Sequence, residues 1–493
     1  MKNHTANTLV ALYQRMKYSP LAILATATVI SGCSAPKPDI ETAATVSINE
    51  NIRYQIIQGF GGFGAQKVWW ADAPFFNQEF VELIINDLGV SILRDNIPIA
   101  FEPQNDNEDP FVIDWSGFNH SQHHPGADSH LGEHFPYLKA MYQAGLEKLI
   151  VSVWSPPIWM KYNNHRGNGS DTIERRTDAP PYTSSPTENT NQLRTDLYEE
   201  FAEYCVAYIR ILKRETGIDL YALSLQNEPR FSQFYASAVY SPQSLKDLIK
   251  VVGNRFKREG IDTKIFMPED VQSLDKIFGY LNAVFEDEEA AQFTDIVAIH
   301  NYRGDGVNAA DSSPTRWRKT AELALAHDKE MWMTETSGYD PTSFDGGMKL
   351  AKSIYTALHY GHVSAWVYWQ MSGKDLIDAN GKKTYLYFIS QHFYKHIRPG
   401  AERIEISSNN EDLLALAFSQ PAAHQRTLIF INDGDTQIDV SVEGLPTAYT
   451  FEVRVTSQDL FYQQRNELYQ NGRYLIPEKS IVTLVSNDNP ENL

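Results

Sequence analysis

Between residues 57 and 398 short apolar runs alternate with amphipathic stretches. The runs are QGFGGFG (58–64), VSILRDN (90–96), KLIVSVW (148–154), LYALSLQ (220–226), KIFMPE (264–269), DIVAIHN (295–301), MWMTET (331–336) and AWVYWQM (365–371). Most are apolar at consecutive positions, as strands covered on both faces are. The segments between them carry helical periodicity, clearest from Ser241 to Gly260. There Ser241 suits an N-cap, Pro242 the first helical position and Gly260 the stop, while Leu245, Leu248, Ile249, Val252 and Phe256 share one face. Eight such strands interleaved with helices predict an α/β fold, a (β/α)8 TIM barrel over 57–398. A doubly wound open sheet has the same local pattern and is the competing topology.

A chain of 493 residues exceeds what one ordinary core organises, and the pattern changes after Arg398-Pro399-Gly400. From 399 to 493 the runs ERIEIS, LLALAFS, TLIFIND, IDVSVEG, TFEVRV and IVTLVS are short, alternating and separated by turn residues. That texture predicts an appended C-terminal β-sandwich. Residues 44–56 are also strand-like and are expected to pair with that sandwich from the other end of the chain.

The N-terminus has its own logic. Residues 1–19 carry Lys2, Arg15 and Lys17 without an acid, and 20–31 form an apolar run too short to span a bilayer. The run ends in Ile30-Ser31-Gly32-Cys33, which resembles the bacterial lipobox, where the cysteine is lipidated and becomes the first mature residue. Residues 1–32 are therefore read as a lipoprotein signal peptide and 33–43 as a tether. The expectation is an exported bacterial lipoprotein, periplasmic or on the outer membrane or cell surface, touching the membrane only through lipid on Cys33. Removing the signal moves the formal charge from −19 to −22, which argues against nucleic acid as a partner. Two cysteines cannot build a disulfide framework. The second, Cys205, sits in a helical pattern with Leu193, Leu197, Phe201, Tyr204, Tyr208 and Leu212, and reads as a core thiol.

Barrels place their chemistry at the C-terminal ends of the strands. The fourth strand ends Leu225-Gln226-Asn227-Glu228-Pro229 and the seventh Met333-Thr334-Glu335-Thr336-Ser337. Strands four and seven face each other across the barrel axis, so Glu228 and Glu335 are expected to converge. A Glu ending an apolar strand is more often a surface or salt-bridged residue than a catalyst. Two facing carboxylates, however, are what glycosidic bond cleavage requires, one to protonate the leaving oxygen and the other to attack the anomeric carbon or activate water.

Several motifs together make the resemblance specific. They are Gln58-Gly-Phe-Gly-Gly-Phe-Gly64, Ser91-Ile-Leu-Arg94, Val153-Trp-Ser-Pro-Pro-Ile-Trp-Met-Lys161, Ser224-Leu-Gln-Asn-Glu-Pro229, Thr334-Glu-Thr-Ser337, Phe393-Tyr-Lys-His-Ile-Arg-Pro-Gly400 and Pro477-Glu-Lys-Ser-Ile-Val-Thr-Leu-Val485. Spread over residues 44–486, they make the chain resemble glycoside hydrolase family 30. The resemblance implies a retaining enzyme, with Glu228 as general acid/base and Glu335 as nucleophile. Retention predicts carboxyl groups about 5–5.5 Å apart, with the Glu228 pKa raised and Glu335 kept ionised by donors. It further implies that Asn227 donates to the sugar 2-hydroxyl, Tyr302 orients Glu335 and Arg94 pairs with Glu335. A structural salt bridge is the alternative reading of Arg94. Family members include xylanases, β-1,6-glucanases, β-glucosidases and glucosylceramidases. The stretch from Asp378-Ala-Asn-Gly to Gly400 is similar to the bacterial xylanase branch, but the Arg and Tyr that glucuronoxylan-specific members use after strand eight are not evident around Ser372–Lys383. The implied substrate is a plant or algal polysaccharide, xylan ahead of β-1,6-glucan, cleaved without cofactor or metal by a monomer. An exo-β-glycosidase is the alternative activity, and a lipid-anchored, non-catalytic glycan-binding protein the alternative class.

Aromatic rings stack on the apolar faces of sugars. Among Trp154, Trp159, Trp366, Tyr368 and Trp369, strand alternation turns about half outward, leaving Trp154 and Trp369 as the expected platforms. The Trp69-Trp70 pair could build a subsite or cover the barrel rim. Five of the fourteen histidines, His120, His123, His124, His130 and His134, lie within one loop, with a spacing that matches no zinc pattern. That loop and the polar stretch 162–192 are expected to shape the cleft.

Overall fold

The computed structural model describes residues 42–64, 78–120, 131–170, 190–271, 274–302, 313–373, 375–445 and 449–486. The proposed signal, residues 33–41 of the proposed tether, Trp69-Trp70, His123, His124, His130 and most of the 162–192 loop lie outside the described residues, while Thr42 and Ala43, expected in the tether, already belong to the first strand.

The first strand, β1 (Thr42–Ile56), precedes eight strands: β2 (Gly59–Phe63), β3 (Ile92–Asn96), β4 (Lys148–Ser152), β5 (Ala222–Ser224), β6 (Lys264–Val271), β7 (Ile296–His300), β8 (Glu330–Glu335) and β9 (Ala365–Tyr368). They pair in chain order, all parallel, and β9 closes back on β2. The closed ring decides between the two topologies expected from the sequence in favour of the barrel. Ile92, Ile150, Ala222, Phe266, Ile296, Trp332, Ala365 and Val367 form one cluster drawn from seven of the eight strands, the packed interior of the barrel. The eighth strand, β2, runs against β3 so closely that a Cβ on Gly61 would lie 1.6 Å from the Ile92 carbonyl oxygen, which is why GFGGFG is glycine-rich there.

The helix Pro242–Glu259 begins with Ser241 accepting from Ser244 N and ends at Gly260 with φ 65°, a left-handed value that suits glycine. Its five predicted apolar residues are all buried. The helix containing Cys205 spans Tyr198–Thr216, so Leu193 and Leu197 precede it. Cys205 is a free thiol in the core between barrel and helices, and burial holds its pKa well above the ordinary value.

Past the barrel come β10 (Glu402–Ser408), β11 (Leu413–Gln420), β12 (Gln425–Asn432), β13 (Ile438–Glu443), β14 (Phe451–Thr456), β15 (Gln463–Gln464), β16 (Tyr469–Gln470), β17 (Arg473–Ile476) and β18 (Ser480–Ser486). Their order is β15-β14-β18-β12-β11-β10-β1-β13-β17-β16. Val453 and Val455 near one end of that order share a core with Val440 and Ile476 near the other, so the ladder folds over on itself. β1 sits inside it, antiparallel to β10 and parallel to β13. The barrel helix Tyr385–Tyr394 packs on this domain, where buried His392 hydrogen-bonds Thr483 (2.7 Å) and Thr456 (2.8 Å).

Candidate active site

Chemistry-bearing side chains gather at the C-terminal ends of β3 to β8. Glu335 is the last residue of β8, and Glu228 lies four residues past β5, with a φ of 48° that a residue other than glycine rarely adopts. Its amide donates to the Glu269 carbonyl oxygen (2.9 Å), which helps to fix that conformation. One oxygen of each carboxylate and a ring nitrogen of His300 all lie within 4.8 Å of one another.

Arg94, on β3, is fully buried beneath them. Its Nη1 donates to Glu335 Oε2 (2.5 Å), its Nη2 to Asn227 Oδ1 (2.7 Å), and its Nε to Glu269 Oε1 (2.9 Å) and Ser152 Oγ (3.2 Å). The Trp154 ring covers the guanidinium, 4.6 Å from the ring centroid. Tyr302 donates from its hydroxyl to the other Glu335 oxygen, Oε1. The structure thus brings Arg94, Asn227, Tyr302 and both glutamates into one network. Trp154 lies beside it and is buried, packed against Phe63 at 5.4 Å and Trp369 at 5.9 Å. Trp369 is only partly buried and keeps an accessible ring surface.

The electrostatics separate the groups. Burial raises the Glu228 pKa, helped by the Glu335 and Asp270 charges and opposed by His300. Burial alone would lower His300, but the Glu335 charge and hydrogen bonds with Glu228 and Glu269 carry it up to about 10. His300 is then a cation that donates from Nδ1 to Glu228 Oε1 (3.1 Å), with Nε2 3.7 Å from Glu269. Burial works to raise Glu269 as well, yet Arg94 and His300 bring its pKa below the ordinary carboxylate value. Tyr235 is pushed up to about 12, by burial first and then by the Glu228 and Glu335 charges.

Sequence reasoning missed His300, Glu269 and Tyr235. For two of them a signal existed. His300 stands two residues before Tyr302 at the end of the sixth barrel strand, on the same side of an extended chain. Glu269 closes the apolar run KIFMP of the fifth barrel strand, a weaker form of the signal that Glu228 and Glu335 give. Of the described histidines expected in one loop, His134 instead lies in the helix Leu131–Gln143, and among the described residues it shares no partner with His120. His134 is buried, its pKa lowered by burial to about 3, and it hydrogen-bonds Tyr208 (2.9 Å), whereas His120 lies beside Glu215 and Arg214.

Two family models match, the "glycosyl hydrolase family 30 TIM-barrel domain" over residues 127–388 and the "glycosyl hydrolase family 30 beta sandwich domain" over 400–484. Among curated relatives is a glucuronoxylanase, XynC, of Bacillus subtilis strain 168, 22% identical over 96% of this chain and 99% of its own. Among solved structures are a family 30 endoxylanase of Clostridium papyrosolvens C71 (TM-score 0.69, 22% identity, 90% of this chain and 100% of that one) and the endo-β-1,6-glucanase BT3312 (TM-score 0.66, 20% identity, 90% and 94%). The barrel model alone covers more than half of the sequence, so the chain belongs to glycosyl hydrolase family 30 and is a glycoside hydrolase.

Proposed function

We propose that the protein is a retaining β-glycanase acting by double displacement, with Glu335 as nucleophile and Glu228 as general acid/base. The observation that carries this reading is the spacing of the two carboxylates. One oxygen of each within 4.8 Å of the other suits the close pair of a retaining site, whose carboxyl groups stand about 5–5.5 Å apart, better than the about 6.5–9.5 Å of an inverting one. The raised pKa of Glu228 suits the partner that must deliver a proton near neutral pH. Asn227, its carbonyl engaged by Arg94, has its amide NH2 left to donate to the sugar 2-hydroxyl. Tyr302 and Arg94 orient the two oxygens of Glu335.

The substrate we propose is a plant or algal polysaccharide, xylan ahead of β-1,6-glucan, because the glucuronoxylanase relative aligns end to end with this chain. The stretch Ser372–Lys383 contains neither Arg nor Tyr, which favours unsubstituted xylan over uronic-acid recognition. The enzyme works as a monomer, exported and tethered by lipid on Cys33. Glu335→Ala loses turnover, and azide restores it with inverted product stereochemistry; full activity in that variant would end the assignment. A panel of xylan, β-1,6-glucan and aryl glycosides tests the substrate, and binding without release of reducing ends would favour the glycan-binding alternative. Palmitate labelling that is lost in Cys33→Ser, with the labelled precursor left uncleaved under globomycin, tests the anchor; no label on the wild type, or equal label on Cys33→Ser, would end it.

A further inference from the structure

A second set of carboxylates lies away from the reacting pair. Glu102 and Asp106 sit in the loop after β3, while Glu200 and Glu203 occupy the start of the helix Tyr198–Thr216. One oxygen each from Asp106, Glu200 and Glu203 lies within 4.8 Å of the others. Surface carboxylates often cluster idly, but three of these four are buried and Asp106 is half-buried. Glu102 and Glu203 are each only 1% exposed and Glu200 7%. Neither oxygen of Glu203 meets a hydrogen-bond donor among the described residues, and Oε2 of Glu102, Oε2 of Glu200 and Oδ1 of Asp106 are likewise unmatched. Asp106 already uses its Oδ2 to accept from the Asp114 amide (2.6 Å), which fixes the loop and leaves Oδ1 for another partner. Arg255 faces Glu203, but its own bonds go to Glu259 (2.9 Å) and to the Pro110 carbonyl.

Several desolvated carboxylates with unmatched oxygens at this spacing want a hard cation, since unpaired buried charge is among the costliest features a fold can carry. We propose that Asp106, Glu200 and Glu203, with Glu102 behind them, bind a divalent cation of calcium size. Calcium takes six to eight oxygens at about 2.3–2.6 Å in flexible geometry, so ligand oxygens up to about 4.8 Å apart fit around it, whereas magnesium demands a tighter octahedron. The ion would cross-link the loop after the second barrel strand to the helix after the third. The Trp159 indole, which donates to the Glu102 carbonyl oxygen (3.3 Å), ties the same loop to the segment following the third strand.

The competing arrangement is a proton shared between Glu200 and Glu203. Equilibrium dialysis of the chelator-stripped protein with calcium, and terbium luminescence sensitised by Trp159, separate the two. The expected result is one calcium per chain that displaces terbium. Calcium at about a hundred times its Kd should raise the folded-to-unfolded ratio roughly 100-fold, read as a higher Tm. Binding and the Tm response should vanish in Glu203→Gln and in Asp106→Asn, the second serving if the first fails to fold. Both should persist in Glu228→Gln, since Glu228, His300 and Glu335 also lie at metal-ligand spacing. No calcium binding at millimolar concentration, binding that survives both cluster substitutions, or binding lost only in Glu228→Gln would overturn the proposal.

Discussion

Replacing Arg94 by lysine keeps the charge and removes the fork. The guanidinium donates to Glu335, Asn227, Glu269 and Ser152 from three different nitrogens, all in a fully buried setting. An ammonium is a single point on a flexible stem and cannot reach partners arrayed around a plane. If it retains Glu269 and one other contact, two hydrogen bonds involving charge are lost, at about 1.5–3 kcal/mol each, or about 3–6 kcal/mol together. The Glu335 bond falls on the reaction, and its share corresponds to a drop in kcat/KM of roughly 10- to 150-fold. The remainder appears as lost stability. Urea unfolding of Arg94→Lys beside wild type, with kcat/KM on the polysaccharide that wild type cleaves, reads both shares. A variant within about threefold of wild-type kcat/KM and about 1 kcal/mol of its stability would show that the fork is not what positions Glu335.

Glu228→Gln should lower turnover of polysaccharide by about 10²–10⁴-fold, and much less for aryl glycosides whose leaving groups need no proton; equal losses on both would exclude Glu228 as the acid. His300 has a folded pKa of about 10 against an ordinary 6.5, so its stabilisation is complete below pH 6.5 and fades as pH rises toward 10. Urea unfolding across that window should show wild type losing a few kcal/mol that His300→Gln does not lose, and parallel profiles would refute this. Trp369→Ala removes a partly exposed ring packed on Phe63 at 4.3 Å, and should raise KM while sparing kcat, a split that steady-state kinetics resolves.

The barrel was legible because its strands are buried on both faces, so each is a near-continuous apolar run, and because Ser241, Pro242 and Gly260 punctuate a helix in the usual way. The two glutamates were legible for a related reason, since a carboxylate closing a fully apolar strand stands out. Glu269 stood out less, because its strand runs on past the carboxylate to Val271. His300 was read as strand, its inward direction and two carboxylate neighbours being products of closure rather than of local pattern. In the sandwich, β16 and β17 were missed although Asn471-Gly472 between them, both at positive φ, is a strong hairpin signal. Strands of two and four residues carry too little periodicity to register. Trp154 is expected as a platform, yet the structure buries it against the Arg94 guanidinium, where side chains from other segments meet.

The seat of β1 between β10 and β13 sets an order of events during synthesis. Arg53 of β1 and its partner Glu402 of β10 are 349 residues apart, the whole barrel intervening. At about 5–20 residues per second the ribosome needs roughly 17–70 seconds to deliver that partner. Throughout that interval Ala44, Val46 and Ile48, buried in the finished molecule, have no surface to cover them. The earliest strand to emerge is therefore among the last to be clasped.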